Sequence, residues 1–343
     1  MATSIGRTSR DLQVAVAHWL LNSNVRVASG RHAGAIAGWL NEQGEPEFAY
    51  PEIAGYYLSW LAFARSHGRE LDMREAATAV VHWVDTVTST DHPPATRYYF
   101  VDCKDWRNSA TFTFDLAMLC RGLYAVRGLV AEQPRKHLLQ KLLRHAMPAG
   151  DVLPVCINIR GELPDCWSTK PGPFQLKTAA ALLSFQDHPA LWKTFHTWNG
   201  RVLDGVHDGE LHAAFYALEG LVQFGVCGKP ESIREAANCF EVLFERIDDA
   251  RSDVIAQGLR LGSTLRSLGF LQAKVWDDRL AELRLRLEPF VSDSGAVSFR
   301  PAGHRPVHFN TWAAIFAHQC FIYSHLTPAE EAIQFPAKTY SKE

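Results

Sequence analysis

What this sequence lacks narrows its reading before any pattern is sought. It lacks a charge bias: 35 lysines and arginines stand against 37 aspartates and glutamates, a net of −2. A general electrostatic binder of nucleic acid is far more basic, so no nucleic-acid partner is expected. It lacks an uninterrupted apolar run of about 18 to 20 residues, so no membrane span is expected. Its first residues, MATSIGRTSRDLQ, contain no apolar core of the kind a secretory signal carries. It also lacks paired cysteines. The seven, Cys103, Cys120, Cys156, Cys166, Cys227, Cys239 and Cys320, are odd in number, scattered and without a CxxC spacing. That pattern fits a reducing, cytoplasmic compartment better than a disulfide framework. No GxxxxGK[ST] and no dinucleotide fingerprint is present, so no nucleotide cofactor is expected. No HExxH and no close cysteine–histidine spacing points to a metal, although distant ligands such as Cys103, Cys166 or His212 would suit a zinc-bearing variant. Runs of the DDxxD or DxDD kind are missing, and so is the GxSxG elbow of serine hydrolases.

What is present is helical. The 343 residues are 47% apolar and 21% charged, which is a globular composition. Two-residue alternation is confined to residues 151–160 and 291–299. The remaining patterns are of two kinds. In the first, one face is apolar and one charged. Residues 72–88 repeat Met73, Ala77, Val80, Val81 and Val84 at three- and four-residue steps, and 133–147 set Leu138, Leu139, Leu142 and Leu143 against Lys136, Lys141 and Arg144. The stretches 11–22, 188–198, 231–247 and 277–289 behave alike, as helices with water outside them. In the second kind, apolar residues lie all round, as in 51–64, 111–120, 174–185, 211–224, 254–265 and 309–323, and such helices are buried. The two kinds alternate six times. That order predicts an all-α (α/α)6 barrel, or toroid, in one domain over 1–343, repeating in architecture and not in sequence. The glycines at 68, 128, 225, 228 and 269 fall where inner helices are expected to end, as C-terminal caps. The stretches around 29–50, 90–110, 148–173 and 291–308 are long connections, and they share the face where inner helices begin. The inner-helix N-termini that meet there favour anions and hydroxyl-rich ligands.

Polar residues inside helices that are otherwise apolar are costly unless they pair or meet a ligand. The first buried helix opens with Tyr50, Pro51 and Glu52, followed by Tyr56, and Glu52 reads equally as a dipole-favoured acid or as a carboxylate facing a cavity. Asp115 sits in the second, behind a loop that holds Asp102, Asp105, Trp106 and Arg107. That loop is either merely solvated or a sugar-recognition loop, in which acids take hydroxyl hydrogen bonds and an indole covers a pyranose face. Trp167, Lys170 and Lys177 belong to the third repeat, and the lysines could hold a carboxylate or phosphate. The fourth carries Glu210, His212, Tyr216 and Glu219, of which the last three share a stripe; histidine is the natural proton-transfer group near neutrality. The alternative is a satisfied core histidine behind helix-capping acids. Asp253, Gln257 and Arg260 come from the fifth, and Asn310, Trp312, His318 and Gln319 from the sixth. Trp39, Trp106, Trp167 and Trp312 are candidate sugar platforms.

The segments Tyr50-Pro51-Glu52-Ile53-Ala54-Gly55-Tyr56 and His212-Ala213-Ala214-Phe215-Tyr216-Ala217-Leu218-Glu219-Gly220-Leu221 are similar to segments of bacterial polysaccharide-biosynthesis proteins in the six-hairpin glycosidase class. The resemblance covers most of the chain in architecture and only these segments in sequence. It implies an enzyme acting on a poly- or oligosaccharide, one that is anionic or contains uronic acid. Glycoside hydrolases, unsaturated uronyl hydrolases, lyases and sugar epimerases all belong to that class. For hydrolysis the expected pair is Glu210 with Glu52, with Asp102 or Asp105 as substitute. For a lyase or epimerase, His212 or Tyr216 removes the proton beside the carboxylate and Asn310, Lys170 or Lys177 stabilises the developing charge. Two competing readings stand beside it. One is a non-catalytic glycan-binding or assembly protein. The other is a terpenoid enzyme with an oily cavity around Tyr57, Trp60, Phe112 and Phe114.

Overall fold

The computed structural model describes residues 8–67, 73–158, 161–205 and 211–323. Twelve helices carry these residues: α1 (Ser9–Asn22), α2 (Pro51–Ser66), α3 (Met73–Val87), α4 (Thr113–Ala125), α5 (Glu132–Ala146), α6 (Gln175–Leu183), α7 (Pro189–Trp198), α8 (Leu211–Val226), α9 (Glu231–Phe244), α10 (Ser252–Ser267), α11 (Ala273–Leu287) and α12 (Thr311–Tyr323). Local chemistry sets several of their starts. In α1, Thr8 and Asp11 each bond the other's backbone N–H as a capping box. Pro51 and Pro189 occupy the first turns of α2 and α7, where a missing N–H costs nothing. Asn310 caps α12 by accepting from the backbone N of Ala313 at 2.9 Å.

The even-numbered helices are apolar on every side because they form the inner ring. Each packs on the next, from α2 round to α12, and α12 packs back on α2. The odd-numbered helices lie outside, each against the inner helix that precedes it, with α1 against α12. Their stripes face inward: Leu138 and Leu142 of α5 are fully covered while Lys136 and Arg144 face water. This is the (α/α)6 toroid that the alternation predicts. The backbones of α2 and α4 approach closely at two glycines. A Cβ at Gly55 would stand 2.4 Å from the Met118 carbonyl oxygen, and one at Gly122 would stand 2.4 Å from that of Gly55.

The long connections, 23–50, 88–112, 147–174 and 288–310, all lead from an outer to an inner helix. Short antiparallel strands lace them together: β1 (Trp39–Leu40) with β6 (Phe309–Asn310), β2 (Phe48–Ala49) with β3 (Tyr98–Tyr99), and β4 (Thr111–Phe112) with β5 (Cys156–Asn158). The result is a rim around the N-terminal ends of the inner helices. Three local expectations change. Residues 111–112 and 309–310 are strand and not helix, because aromatic and β-branched side chains there find cross-strand partners. Of the alternating stretches, 151–160 yields β5, whereas 291–299 makes only isolated bridges. Of the glycines expected as caps, Gly228 and Gly269 adopt left-handed φ of 111° and 78°. Gly225 instead lies inside α8, where a Cβ would meet Ile233 of α9 at 2.0 Å, and Gly68 lies outside the described residues. Among the described residues no helix is long and apolar enough to cross a membrane, and all seven cysteines are free thiols.

Candidate active site

The inner helices turn residues toward the axis at steps of four and then three, which is one helical face. His212, Tyr216 and Glu219 of α8 follow it, as do Asp253, Gln257 and Arg260 of α10 and Trp312, Phe316 and Gln319 of α12. Their contacts sort them into a tier at the mouth and a tier below.

At the mouth, Asp253 is fully buried. It takes two hydrogen bonds from Arg251, Nε to Oδ1 at 3.0 Å and Nη2 to Oδ2 at 2.6 Å, and one from Trp312 Nε1 at 3.1 Å. Its Oδ2 stands 3.3 Å from His212 Nδ1, an ion-pair distance without hydrogen-bond alignment. Burial pushes the Asp253 carboxyl up, but Arg251 and His212 bring it below its ordinary range, so it is ionised. Burial acts the other way on His212. It lowers the imidazole to about 4, Asp253 offsetting part of the effect, so the ring is neutral at neutral pH. The His212 and Tyr216 rings are 4.4 Å apart.

Across the mouth sits a second pair of acids. Glu52 accepts from the Tyr216 hydroxyl at 3.4 Å, and burial raises it although Tyr50, Lys177, Tyr216 and Arg97 each pull it down. Asp115 accepts from the Thr96 hydroxyl; burial and then the nearby Glu52 push it well above the ordinary carboxylate range. Neither carboxyl has a cation in direct contact, so burial and their mutual repulsion both favour the protonated form.

Below the mouth the axis is filled by an ionic column. Lys177 Nζ lies 2.5 Å from Glu219 Oε2 and donates to the Tyr56 hydroxyl at 2.7 Å. Its ammonium also stands 3.9 Å from the centre of the Tyr216 ring. Arg260 pairs with the other Glu219 oxygen and reaches Gln319 at 3.4 Å, while Gln257 Nε2 donates to Glu219 at 3.3 Å. Burial raises Glu219, yet Arg260 and Lys177 take it down to about 2. Lys177 is desolvated to about 7 despite Glu219, because Arg260 and Arg121 oppose its charge as well.

Not all of the expected site residues meet at the mouth. Lys177 is 1% exposed at its side chain and Gln257 is fully buried, so both belong to the column and not to a ligand-facing wall. Below the mouth, Lys177, Tyr56, Glu219, Gln257 and Arg260 occupy the axis among the described residues. Asp102 stays exposed in its loop, and Lys170 pairs with Asp165 near the surface. Asp105 is engaged by Arg107, at 3.0 Å, and by the Tyr99 hydroxyl at 3.1 Å. One face of the Trp106 ring is covered by Arg107 at 4.5 Å, and one face of Trp39 by His308, stacked at 4.8 Å. Asn310 is occupied as a helix cap. Trp167, 36% exposed and edge-on to Phe174, does sit on the rim. Glu210 lies outside the described residues. Among those described, no group of three His, Cys, Asp or Glu residues is placed to hold a metal ion. Sequence reading passed over Arg97 and Arg251. Both stand in loops, where no periodicity marks an inward residue.

The fold is that of the (α/α)6 toroids. Among solved structures, the chain is similar to a sugar epimerase from a ruminal bacterium, with TM-score 0.63 and 8% identity over 92% of this chain and 99% of that one. It is similar also to an unsaturated glucuronyl hydrolase specific for heparin, with TM-score 0.60 and 10% identity over 92% and 97%. A type II terpene cyclase from Scytonema shares the fold at TM-score 0.51 and 14% identity over 93% and 99%. At the level of sequence, no family model and no curated protein matches the chain. Such identities speak for the fold, and the chemistry has to be argued from the site.

Proposed function

We propose that this chain is a carbohydrate-active enzyme that works by general acid–base catalysis on an oligo- or polysaccharide at the long-looped face. One arrangement carries the reading. A neutral histidine steadied by an ionised aspartate faces a pair of proton-retaining carboxyls across the inner-helix N-termini. Acid–base chemistry needs groups whose environments hold them in opposite protonation states, and these environments do so. His212 is the base. Asp115, with Glu52 coupled to it, is the acid, and Tyr216 links the two sides. A histidine base favours removal of a C–H proton next to a sugar carboxylate, with the proton taken up on the imidazole. In a lyase the acid then protonates the departing oxygen as its C–O bond breaks and a C=C bond forms. In an epimerase the acid across the mouth gives its proton to the opposite face of the same carbon, while the proton on His212 passes to water. Hydrolysis, with the acid on the glycosidic oxygen and His212 taking a proton from the attacking water, uses the same groups.

The low exposure of His212 and Glu52, 12% and 7%, favours a second reading, a glycan-binding protein without turnover. A panel of uronic and neutral oligosaccharides in deuterated water separates the cases. An unsaturated, ultraviolet-absorbing product marks a lyase, deuterium incorporation with unchanged mass otherwise marks an epimerase, and added water marks a hydrolase. Binding without any of these would establish the second reading. Turnover untouched by His212→Gln, Glu52→Gln and Asp115→Asn alike would reject the site.

A further inference from the structure

We infer that Arg97 is the anchor for a sugar carboxylate at the mouth of the toroid, a role that rests on the carbohydrate reading above. Four other basic side chains of the rim are already neutralised, and Arg31, Lys104 and Arg300 are exposed to water. Arg107 is paired with Asp105, Lys170 with Asp165, Arg251 with Asp253 and Arg305 with Glu42. Arg97 has no carboxylate within ion-pair distance among the described residues. The polar contact it makes is from Nη1 to the Tyr99 hydroxyl, at 3.1 Å. That leaves the edge formed by Nε and Nη2, two parallel N–H groups that match the two oxygens of a planar carboxylate.

The guanidinium is held in an aromatic basket, its central carbon 4.1 Å from the centre of the Phe48 ring, 5.5 Å from Trp39 and 5.6 Å from Tyr50. The basket strips part of its water and fixes its plane, so an arriving anion finds a pre-oriented fork. The rings also offer apolar surface to the sugar that bears the anion. Two further observations place the group at the site. Its chain neighbour Thr96 donates to Asp115, and the Tyr50 ring against it precedes the first turn of α2 that carries Glu52, so a carboxylate seated on it lies beside that acid pair. The six inner helices direct their N-terminal ends to the same mouth, which adds positive potential there. An acid pair that keeps a proton repels such a substrate less than two ionised carboxylates would.

The test compares binding of glucuronic- and galacturonic-acid oligosaccharides with that of their methyl esters, by calorimetry, to the wild-type chain, Arg97→Gln and Arg97→Lys. The expected result is preference of the wild type for the free acids. Arg97→Gln should lose about tenfold or more in affinity for the acids, with ester affinity unchanged and partial recovery in Arg97→Lys. Equal loss for acid and ester, or no loss, overturns the assignment. If Arg97→Gln does not fold, the wild-type comparison decides: no preference for acid over ester refutes it. Binding of neutral sugars only would refute Arg97 and leave the carbohydrate reading standing. Binding of no sugar would sink that reading itself.

Discussion

Four acids lie buried around one axis, and they divide into two pairs with opposite behaviour. Glu219 and Asp253 touch arginine directly and are ionised; Glu52 and Asp115 touch hydroxyls and are pushed up by burial. Burial pushes all four the same way. Contact with a guanidinium is what reverses it, because the Coulomb term in a low-dielectric interior exceeds the desolvation cost only at close range. Under the proposed function, the cation-bound acids hold and orient the site, and the hydroxyl-bound pair supplies the proton.

The comparison can be broken most directly through activity. Asp115→Asn exchanges one neutral, hydrogen-bonding group for another, so it should fold normally and reduce kcat by about 10²- to 10⁴-fold. Normal turnover in that variant would remove Asp115 from the chemistry. Glu219→Gln should do the reverse in kind. It strands Lys177 and Arg260, and denaturant titration should show a loss of about 3–5 kcal/mol. A loss no larger than that of a surface substitution would mean the column is not what holds the centre.

Stability against pH sharpens the contrast through its sign. Glu219 is depressed to about 2 from 4.5, so the unfolded chain takes up its proton first, and stability is lost as pH falls through that window. His212, depressed to about 4 from 6.5, also costs stability as pH falls, between those values. Asp115 is raised above 3.8, so the folded chain holds its proton longer, and stability falls as pH rises above that value. Removing the last slope by Asp115→Asn, and the first by Glu219→Gln, is the expected pattern in chemical denaturation followed across pH. Identical slopes in all three chains would contradict the division. A smaller effect checks the scaffold: Gly55→Ala, which drives a methyl into the Met118 carbonyl, should cost about 1–3 kcal/mol. Asp102→Ala should be the mildest, within about 0.5 kcal/mol and without effect on turnover, since that residue is exposed in its loop.

The legible part of the site is the part carried by helices. His212, Tyr216 and Glu219 share a stripe at steps of four and three, and the apolar surroundings of Asp115 demanded a partner, which Thr96 supplies. Lys177 was legible as an inward cation but not as the partner of Glu219, because the two stand on different helices and spacing says nothing across that gap. Arg97 and Arg251 were invisible for a related reason. A loop has no period, and only the strand pairing of β2 with β3 brings residues near 97 against the start of α2.

Periodicity alone settled the number, order and inside–outside placement of the helices, since burying an apolar face is a local demand that each segment states for itself. The protonation of the axial acids was decided by three-dimensional packing. A carboxyl ionises or not according to which cations lie within a few ångströms, and those neighbours come from helices and loops far apart in the chain.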